Sequence, residues 1–247
     1  MKLLIITILS LIFSKDITME ANKSFDSILS SYVDSLGKVN YKGIIDNPYA
    51  FNEYFKFIEN ISPNNYPDYF KTTDAKKAYW INTYNALILK IMIDNPSKSI
   101  LETLSVPKIF GSFIFLKKFK VGDEMLSPHY IEHKILRKLD DPRIHFAINC
   151  ASKSCPPLGN RILKEDNLDG QLDEKAVKFI NSKDHVYVDN ENKIIYLNKI
   201  FKWFKKDFGD LKLYICKYLD SNIEYEDIYN YKISFFEYDW SSNGMNS

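Results

Sequence analysis

The sequence predicts an α+β fold, a mostly helical single domain with a small antiparallel sheet. Several long segments carry apolar residues at helical spacing, and a few short segments alternate apolar and polar residues as strands do. The chain has 247 residues, which is enough for one domain with a substantial core. The sequence contains no internal repeat and no glycine-rich phosphate loop.

Three helices are predicted in the N-terminal part of the chain. Residues 24–36 have apolar side chains at helical spacing, and Gly37 is a usual residue just after a helix. The same spacing over residues 49–61 stops at a Ser-Pro pair. Residues 74–94 form the longest and most apolar segment, preceded by threonine caps and followed by Asn-Pro, so we expect a central helix there.

A strand, a helix and a second strand are predicted next. Residues 113–121 alternate as a strand does, and Gly122-Asp123 is a turn signal. Ser127-Pro128 combines an N-cap with a first-turn proline, which predicts a helix through Leu139. Residues 144–150 again alternate, which predicts a strand with one apolar and one polar face.

The C-terminal part predicts three helices and a hairpin. Residues 168–180 have helical spacing, and the apolar segments 186–188 and 194–197 flank a polar turn as the strands of a hairpin do. Two further helices are predicted over residues 199–208 and 211–219.

Composition gives little indication of a charged partner. Hydrophobic residues make up 45% and charged residues 26%, which is ordinary for a soluble globular protein. The formal net charge of +1 gives no reason to expect nucleic acid as a partner. The basic-aromatic clusters at 117–120 and 202–206 are interpreted as solvated faces. We predict no cofactor, and an unknown small molecule or peptide as the partner.

The first 20 residues predict an export signal. Lys2 precedes an apolar run from Leu3 to Phe13, which has the length of a signal-peptide core and is too short to span a bilayer. We therefore expect a periplasmic or secreted domain over residues 21–247, either cleaved between Ser14 and Ala21 or anchored by the uncleaved signal. No stable membrane span is predicted beyond this segment.

The segment DPRIHFAINCASKSCPPL, residues 141–158, holds most of the side chains that suggest chemistry. It contains His145, Cys150 and Cys155 within a few residues of one another. The two prolines after Cys155 remove two backbone donors and fix two φ angles, so this cysteine lies on a constrained turn. Because functional residues concentrate on loops held by a rigid scaffold, this segment is the candidate site.

Five sequence blocks resemble the family catalogued as domain of unknown function 547. They are YWINTYNALILK (79–90), LSPHYIEHKIL (126–136), DPRIHFAINCASKSCPPL (141–158), NKIFKWFKKDFG (198–209) and YDWS (238–241). The blocks occur in the family's order and cover about residues 40 to 241. The resemblance implies no particular activity, although some relatives join this domain to glutaredoxin-like or coiled-coil segments, which points to redox or scaffolding contexts.

The pair Cys150 and Cys155 has three interpretations. A structural or redox disulfide fits an exported protein, since oxidising compartments preserve such bonds. A nucleophilic thiol fits the end of a strand if a neighbouring group lowers its pKa. Simple burial fits Cys150, which shares the apolar face of the predicted strand, while Cys216 is predicted to lie in the core.

Other polar side chains in predicted helices need a reason to be there. Glu132-His133 matches the I-E-H triplet of the resembled family, and such a pair is either an imidazole oriented by a carboxylate or a surface pair. His145 is either a base or a hydrogen-bonded interior histidine. Asn82 and Asn85 lie inside the most apolar helix, where they either tie it to the 150–155 turn or orient a catalytic group.

His129, Glu132 and His133 also form the pattern H-x-x-E-H, which binds zinc in some proteases. The two imidazoles would share a helix face. However, no downstream acid is positioned as a third ligand, and we predict no metal site.

Two functions remain open from the sequence. One is thiol-dependent hydrolysis or acyl transfer, and the other is a non-catalytic binding or scaffold domain whose cysteine pair is a structural or redox disulfide. The residues assigned to the first are Cys150 or Cys155 as nucleophile, His133 or His145 as base, and Glu132 and Asn82 as orienting groups. We expect these residues to meet in space.

Overall fold

Helices make up most of the structure, a computed structural model that describes residues 2–96, 114–220 and 223–245. The α-helices of these residues are α1 (Lys2–Tyr32), α2 (Tyr41–Asp46), α3 (Tyr49–Asn60), α4 (Thr73–Ile93), α5 (Pro128–Tyr130), α6 (Leu168–Ile180), α7 (Lys199–Trp203), α8 (Lys205–Phe208), α9 (Leu211–Cys216) and α10 (Tyr225–Ile228). Short 3-10 helices cover Pro67–Tyr69, Ile114–Leu116, Leu136–Leu139, Pro142–Phe146 and Glu165–Asn167, and a π-helix covers Ile131–Ile135.

Two small sheets accompany the helices. Strands β1 (Phe119–Val121) and β2 (Glu124–Leu126) form an antiparallel hairpin. Strands β3 (Val186–Asp189) and β4 (Ile194–Leu197) form a second one, and β5 (Lys232–Phe235) adds to β4 in parallel. The predicted α+β, mostly helical class is confirmed. The parallel strand β5 is an addition that the sequence analysis does not contain.

Helix α4 is the centre of the larger hydrophobic core, as predicted. Sixteen of its 21 residues are buried, so it is surrounded by protein on nearly every side. Thr72 accepts a hydrogen bond from the N–H of Ala75 at 2.9 Å and caps the first turn. Helices α1 and α3 pack together in the same core, where the rings of Phe25 and Tyr54 stack at 4.3 Å.

A second core fills the space between α6, the β3-β4-β5 sheet and helices α7 to α9. Phenylalanine rings dominate it: Phe146 lies 5.0 Å from Phe179, 5.8 Å from Phe201 and 5.6 Å from Phe208 between ring centroids. Phe146 belongs to the 141–158 segment, so the candidate site adjoins this second core. Each such fully buried side chain contributes about 1.5–3 kcal/mol.

The predicted strand over residues 144–150 is wrong. Residues Pro142–Phe146 form a 3-10 helix, and a loop follows. Pro142 takes the first helical position, and the carboxylate of Asp141 accepts the N–H of Arg143. The alternation misled because both sets of side chains are buried, His145 at 2% exposure beside Ile144 at 1%, so the pattern does not separate a solvent face from a core face.

Residues 128–139 are helical, as predicted, but irregular. The α-helical turn α5 passes into the π-helix at Ile131 and then into a 3-10 helix, which ends where Asp140 has a φ of 50°. π-helical segments are rare, and they occur often at functional sites. The irregularity changes the direction of Glu132 and His133 relative to a regular helix, which the sequence pattern does not reveal.

The N-terminal helix and the 113–121 segment differ from prediction in their ends. Helix α1 ends at Tyr32, while Gly37 lies in the following turn with a φ of 78°. A Cβ on Gly37 would lie 2.6 Å from Pro157, so this position needs glycine for close approach to the 141–158 segment. Phe113 lies outside the described residues, and only Phe119–Val121 of its predicted strand is extended.

Residues 2–20, the described part of the predicted export signal, belong to α1. Among the described residues, no helix combines the length and apolar character that membrane crossing requires.

Candidate functional site

The segment from Ala147 to Leu158, here named the cysteine turn, is held by the buried side chain of Asn149. The Asn149 Nδ2 donates to the carbonyl oxygen of Pro156 at 2.7 Å, and its Oδ1 accepts the N–H of Ala151 at 2.8 Å. Ala151 has a φ of 62°, a left-handed conformation that costs free energy for a residue with a Cβ. Asn149 therefore fixes the backbone around the two cysteines.

Helix α4 anchors the cysteine turn through Asn85. The Asn85 Nδ2 donates to the carbonyl oxygen of Ala147 at 3.0 Å, and its Oδ1 accepts the N–H of Asn149 at 2.9 Å. All three residues are buried, so the amide satisfies two backbone groups that have no access to water. This is one of the two roles that the sequence suggests for an asparagine in this helix.

The C-terminal segment, residues 238–245, lies along the other side of the cysteine turn. The N–H of Lys153 donates to the carbonyl oxygen of Ser241 at 2.9 Å, and the N–H of Asn243 donates to that of Ala151 at 3.1 Å. These bonds bring Tyr238 against Cys150. One wall of the site therefore comes from residues about 90 positions away in sequence.

Cys150 and Cys155 are free thiols in contact with several donors. The Cys150 sulfur lies 3.1 Å from the Ser152 hydroxyl and 3.3 Å from the Tyr238 hydroxyl, and Ser152 in turn donates to Tyr238 at 3.0 Å. The Cys155 sulfur accepts the backbone N–H of Cys150 at 2.8 Å. Cys150 is partly exposed and Cys155 is buried, so the first is accessible to a reactant.

The surroundings give the two thiols opposite acidities. Burial acts to raise the pKa of Cys150, but hydrogen bonds from Cys155, Ser152 and Tyr238 outweigh it and lower this pKa to about 7. Burial and the neighbouring Cys150 sulfur raise the pKa of Cys155 well above its usual value. Near neutral pH the negative charge is therefore on Cys150, and Cys155 keeps its proton.

Glu132 belongs to the π-helix and interacts electrostatically with Cys150. Burial raises the pKa of its carboxyl to about 8, and the charge of Cys150 adds to this effect. The charge of Arg137 lowers the pKa of Glu132, and the charge of Asp207 raises it. Within the described residues the carboxyl has no hydrogen-bond or ion-pair partner. Burial therefore favours the protonated form of Glu132 at neutral pH.

The histidines gather around an arginine-carboxylate pair. Arg137 donates to both oxygens of Asp207 at 2.6 Å, and His145 Nε2 lies 2.8 Å from the same carboxylate. Arg137 also donates to His133 Nδ1 at 2.8 Å. Because arginine only donates, His133 Nδ1 is unprotonated and its hydrogen is on Nε2. The Asp207 carboxylate likewise selects the neutral tautomer of His145 with hydrogen on Nε2.

Both imidazoles are neutral over the physiological range. Burial lowers the pKa of His133 to about 4, helped by His129 and Arg137. Burial also lowers the pKa of His145 to about 4, although Asp207 opposes the shift. No imidazole among the described residues forms a hydrogen bond with a cysteine sulfur. Glu132 interacts with Cys150 through charge, since the charge of Cys150 raises its pKa.

The comparison with family models gives one match. The model described as "Protein of unknown function, DUF547" matches residues 69–180. Residues 69–180 belong to this family. The searches of the curated proteins and of the solved structures found no match.

The DUF547 match covers the middle of the chain rather than the whole resemblance. It contains all six predicted site residues, and the blocks at 198–209 and 238–241 lie outside it. Asp207 and Tyr238 belong to those outer blocks, yet they contact His145 and Cys150 of the DUF547 domain. The candidate site therefore includes residues outside the matched range.

Asn82 lies in the DUF547 domain but contacts a different part of it from the cysteine turn. Its Nδ2 donates to the carbonyl oxygen of Leu163 at 2.8 Å, and its Oδ1 accepts the N–H of Leu163 at 3.1 Å. Asn82 and Asn85 thus form two similar backbone clamps on one helix, and Asn85 is the one joined to the cysteine turn.

The other candidates have separate surroundings. The rings of His129 and His133 lie 4.3 Å apart, but the described residues contain no group of three or more possible metal ligands. His185 stacks on Phe179 at 4.0 Å in the second core. Cys216 is partly exposed on α9 and lines a surface depression of about 520 Å³ that does not include the cysteine turn.

Four site residues were not assigned a role from the sequence: Arg137, Ser152, Asp207 and Tyr238. Ser152 lies two residues after Cys150, and Tyr238 begins the YDWS block, so both were within quoted motifs. Arg137 and Asp207 meet across 70 residues. The available signal was Asp207 as the acidic residue of the basic block at 198–209.

Proposed function

We propose that this DUF547 domain is a thiol-dependent enzyme of acyl transfer or hydrolysis, with Cys150 as the nucleophile. The observation that carries this proposal is the hydrogen bonding of the Cys150 sulfur, which lies 3.3 Å from the donating Tyr238 hydroxyl and 3.1 Å from the Ser152 hydroxyl. Donors of this kind stabilise a thiolate, and a partly exposed thiolate is the reactive form of cysteine.

Glu132 supplies the proton that such a reaction needs. The thiolate attacks the carbonyl carbon of an ester or amide, the leaving group takes the Glu132 proton, and a thioester forms on Cys150. The Glu132 carboxylate then takes a proton from the water or acceptor that cleaves the thioester. The proposal gives this role to Glu132 instead of His133 or His145, because both imidazoles are bound to the Arg137–Asp207 pair.

The test uses p-nitrophenyl acetate as the acyl donor. We expect a burst of p-nitrophenol and an increase of one acetyl mass on the peptide containing Cys150, and no such adduct in Cys150→Ser. The Cys216→Ser variant is the matched control, since this thiol has a raised pKa because of burial and nearby carboxylates, and it should leave the burst unchanged. A full burst in Cys150→Ser would contradict the proposal.

Acyl transfer from an amide, whose leaving group must take a proton, has an expected pH dependence. Its rate rises as Cys150 ionises near pH 7 and falls as Glu132 loses its proton near pH 8, because the active form combines a thiolate with a protonated acid. The charged or titratable groups near the two are Cys155, Tyr84, Tyr238, Arg137 and Asp207. Glu132→Gln should abolish the fall at high pH.

A second candidate function is a reversible dithiol–disulfide pair. It is favoured by the contact of the Cys155 sulfur with the Cys150 backbone at 2.8 Å, which keeps the buried thiol beside the reactive one. With glutathione disulfide, Cys150 would form a mixed disulfide that Cys155 displaces, leaving two molecules of glutathione and a protein lighter by two hydrogens. Cys155→Ser stops at the mixed disulfide. In the acyl-transfer reaction, the hydroxyl that replaces the Cys155 thiol still donates to the Cys150 sulfur. We therefore expect the p-nitrophenol burst to persist in this variant.

We also propose that the chain is exported through its N-terminal segment, which is consistent with thiol chemistry in an oxidising compartment. N-terminal sequencing of the protein recovered from periplasm or medium checks this, with cleavage expected between Ser14 and Ala21. Recovery of only the intact chain from the cytoplasm would contradict it.

A further inference from the structure

We infer that Tyr238 is a catalytic residue that donates a hydrogen bond to the oxyanion formed when Cys150 attacks an acyl group. This inference rests on the proposed thiol chemistry and adds to it the group that stabilises the transition state. Tyr238 lies outside the matched DUF547 range, in the C-terminal segment that closes over the cysteine turn.

The backbone donors that usually stabilise such an oxyanion are already used. The N–H of Cys150 donates to the Cys155 sulfur at 2.8 Å, and the N–H of Ala151 donates to Asn149 Oδ1 at 2.8 Å. Neither can turn toward a substrate without breaking the cysteine turn. A carbonyl oxygen that reaches Cys150 must therefore find its donors among the groups that already bond the sulfur, namely the backbone N–H of Ser152 and the side chains around it.

The Tyr238 hydroxyl has the required position and polarity. It lies 3.3 Å from the Cys150 sulfur, and it accepts a hydrogen bond from Ser152 at 3.0 Å. With its oxygen accepting from Ser152, its own hydrogen points to the sulfur. Burial and the Cys150 charge raise the pKa of Tyr238 well above its usual value, so the hydroxyl keeps this hydrogen when the thiolate forms.

The ring of Tyr238 is fixed by two tryptophans. Its centroid lies 4.8 Å from that of Trp203 and 4.5 Å from that of Trp240. These contacts involve the ring and do not involve the hydroxyl. Phenylalanine at this position therefore keeps the packing and removes only the donor, which makes it a suitable test variant.

Attack on an ester carbonyl transfers the acyl group from oxygen to the Cys150 sulfur. A sulfur lone pair forms the S–C bond, and the π electrons of the carbonyl move to its oxygen. As the sulfur loses its negative charge, the Tyr238 hydrogen bond passes from sulfur to that oxygen. The C–O bond to the leaving group then breaks, the leaving group takes the Glu132 proton, and the carbonyl re-forms as a thioester.

Two reagents separate oxyanion stabilisation from thiolate stabilisation. Acylation by p-nitrophenyl acetate passes through an oxyanion, whereas alkylation by iodoacetamide displaces iodide without one. We expect Tyr238→Phe to lower the acylation rate constant of the thiolate by about 10²–10³-fold and to leave its alkylation rate constant unchanged. Both constants are obtained from full pH profiles, which remove the effect of any change in the Cys150 pKa.

Tyr41→Phe is the matched control. The Tyr41 hydroxyl donates to Asn243 Oδ1 at 2.6 Å, so its loss loosens the same C-terminal segment without removing a donor from the sulfur. We expect both rate constants to stay at wild-type values in this variant. Ser152→Ala provides a second test, in which acylation falls more than alkylation because Tyr238 loses the bond that orients its hydrogen.

Three results would overturn the inference. In the first, Tyr238→Phe acylates as fast as wild type. In the second, acylation and alkylation fall by the same factor, so that Tyr238 only affects the thiolate. In the third, Cys150→Ser reacts with the ester as wild type does, and then the proposed function fails as well. The first two leave the nucleophilic role of Cys150 intact.

Discussion

Replacing Asp141 by alanine is expected to destabilise the fold by about 3–5 kcal/mol, the usual cost of leaving a buried charge without its partner. Asp141 accepts hydrogen bonds from Lys77 at 2.7 Å and from Arg143 at 2.9 Å, and its side chain is only 9% exposed. Lys77 lies on the central helix with a side chain 10% exposed, so its ammonium would remain buried and unpaired. Chemical denaturation followed by circular dichroism measures the loss.

Asp169→Ala is the matched control for Asp141. Its carboxylate binds the same Arg143 at 2.8 Å, but its side chain is 79% exposed. Exposed ion pairs contribute little, so we expect a change below about 1 kcal/mol. Equal destabilisation by the two substitutions would show that burial does not determine the strength of this network.

The same ion pairs predict how stability depends on acid. Burial opposes ionisation of Asp141, but the hydrogen bonds from Arg143 and Lys77 outweigh it and lower the pKa to about 2. Because the folded pKa is below the unfolded value near 3.9, the stabilisation is complete above about pH 4 and is lost as pH falls through about 2. In Asp141→Asn this component of the acid dependence should disappear.

Local patterns were sufficient to predict several of the regular elements. Residues 168–180 have clear helical spacing, and α6 has these bounds. The hairpin of β3 and β4 also follows from two short apolar segments around a polar turn. In both cases one face of the element is buried and the other is solvated, so the sequence pattern and the packing agree.

The site could be predicted only in part, because its geometry depends on long-range contacts. The cysteine turn was predicted as important from Cys150, Cys155 and the two prolines. Its conformation, however, depends on Asn85 from α4 and on the C-terminal segment, and neither contact has a local signature in the sequence. The same applies to the choice between Asn82 and Asn85, which have the same residue type on the same helix.

Asn85→Ala should therefore alter Cys150, whereas Asn82→Ala should not. Each substitution leaves one buried backbone N–H and one buried carbonyl without a partner, so each should cost about 1–3 kcal/mol per unsatisfied group. The two variants are matched in residue type, helix and burial. They differ in which backbone they release, since Asn85 holds Ala147 and Asn149 at the start of the cysteine turn.

Release of this turn removes the arrangement that lowers the Cys150 pKa. Once the Ser152 and Tyr238 hydroxyls are no longer held beside the sulfur, the pKa returns toward the value of about 8.5 for an ordinary cysteine, and the thiolate fraction at pH 7 falls by roughly tenfold. We expect iodoacetamide to alkylate Cys150 of Asn85→Ala roughly tenfold more slowly than Cys150 of the wild type at pH 7. At pH 10 the two rates should be equal. Asn82→Ala should follow the wild-type profile at both values, despite a similar loss in the free energy of unfolding. If the two variants shifted the alkylation profile equally, the reactivity of Cys150 would depend on the stability of α4 as a whole and not on the Asn85 clamp.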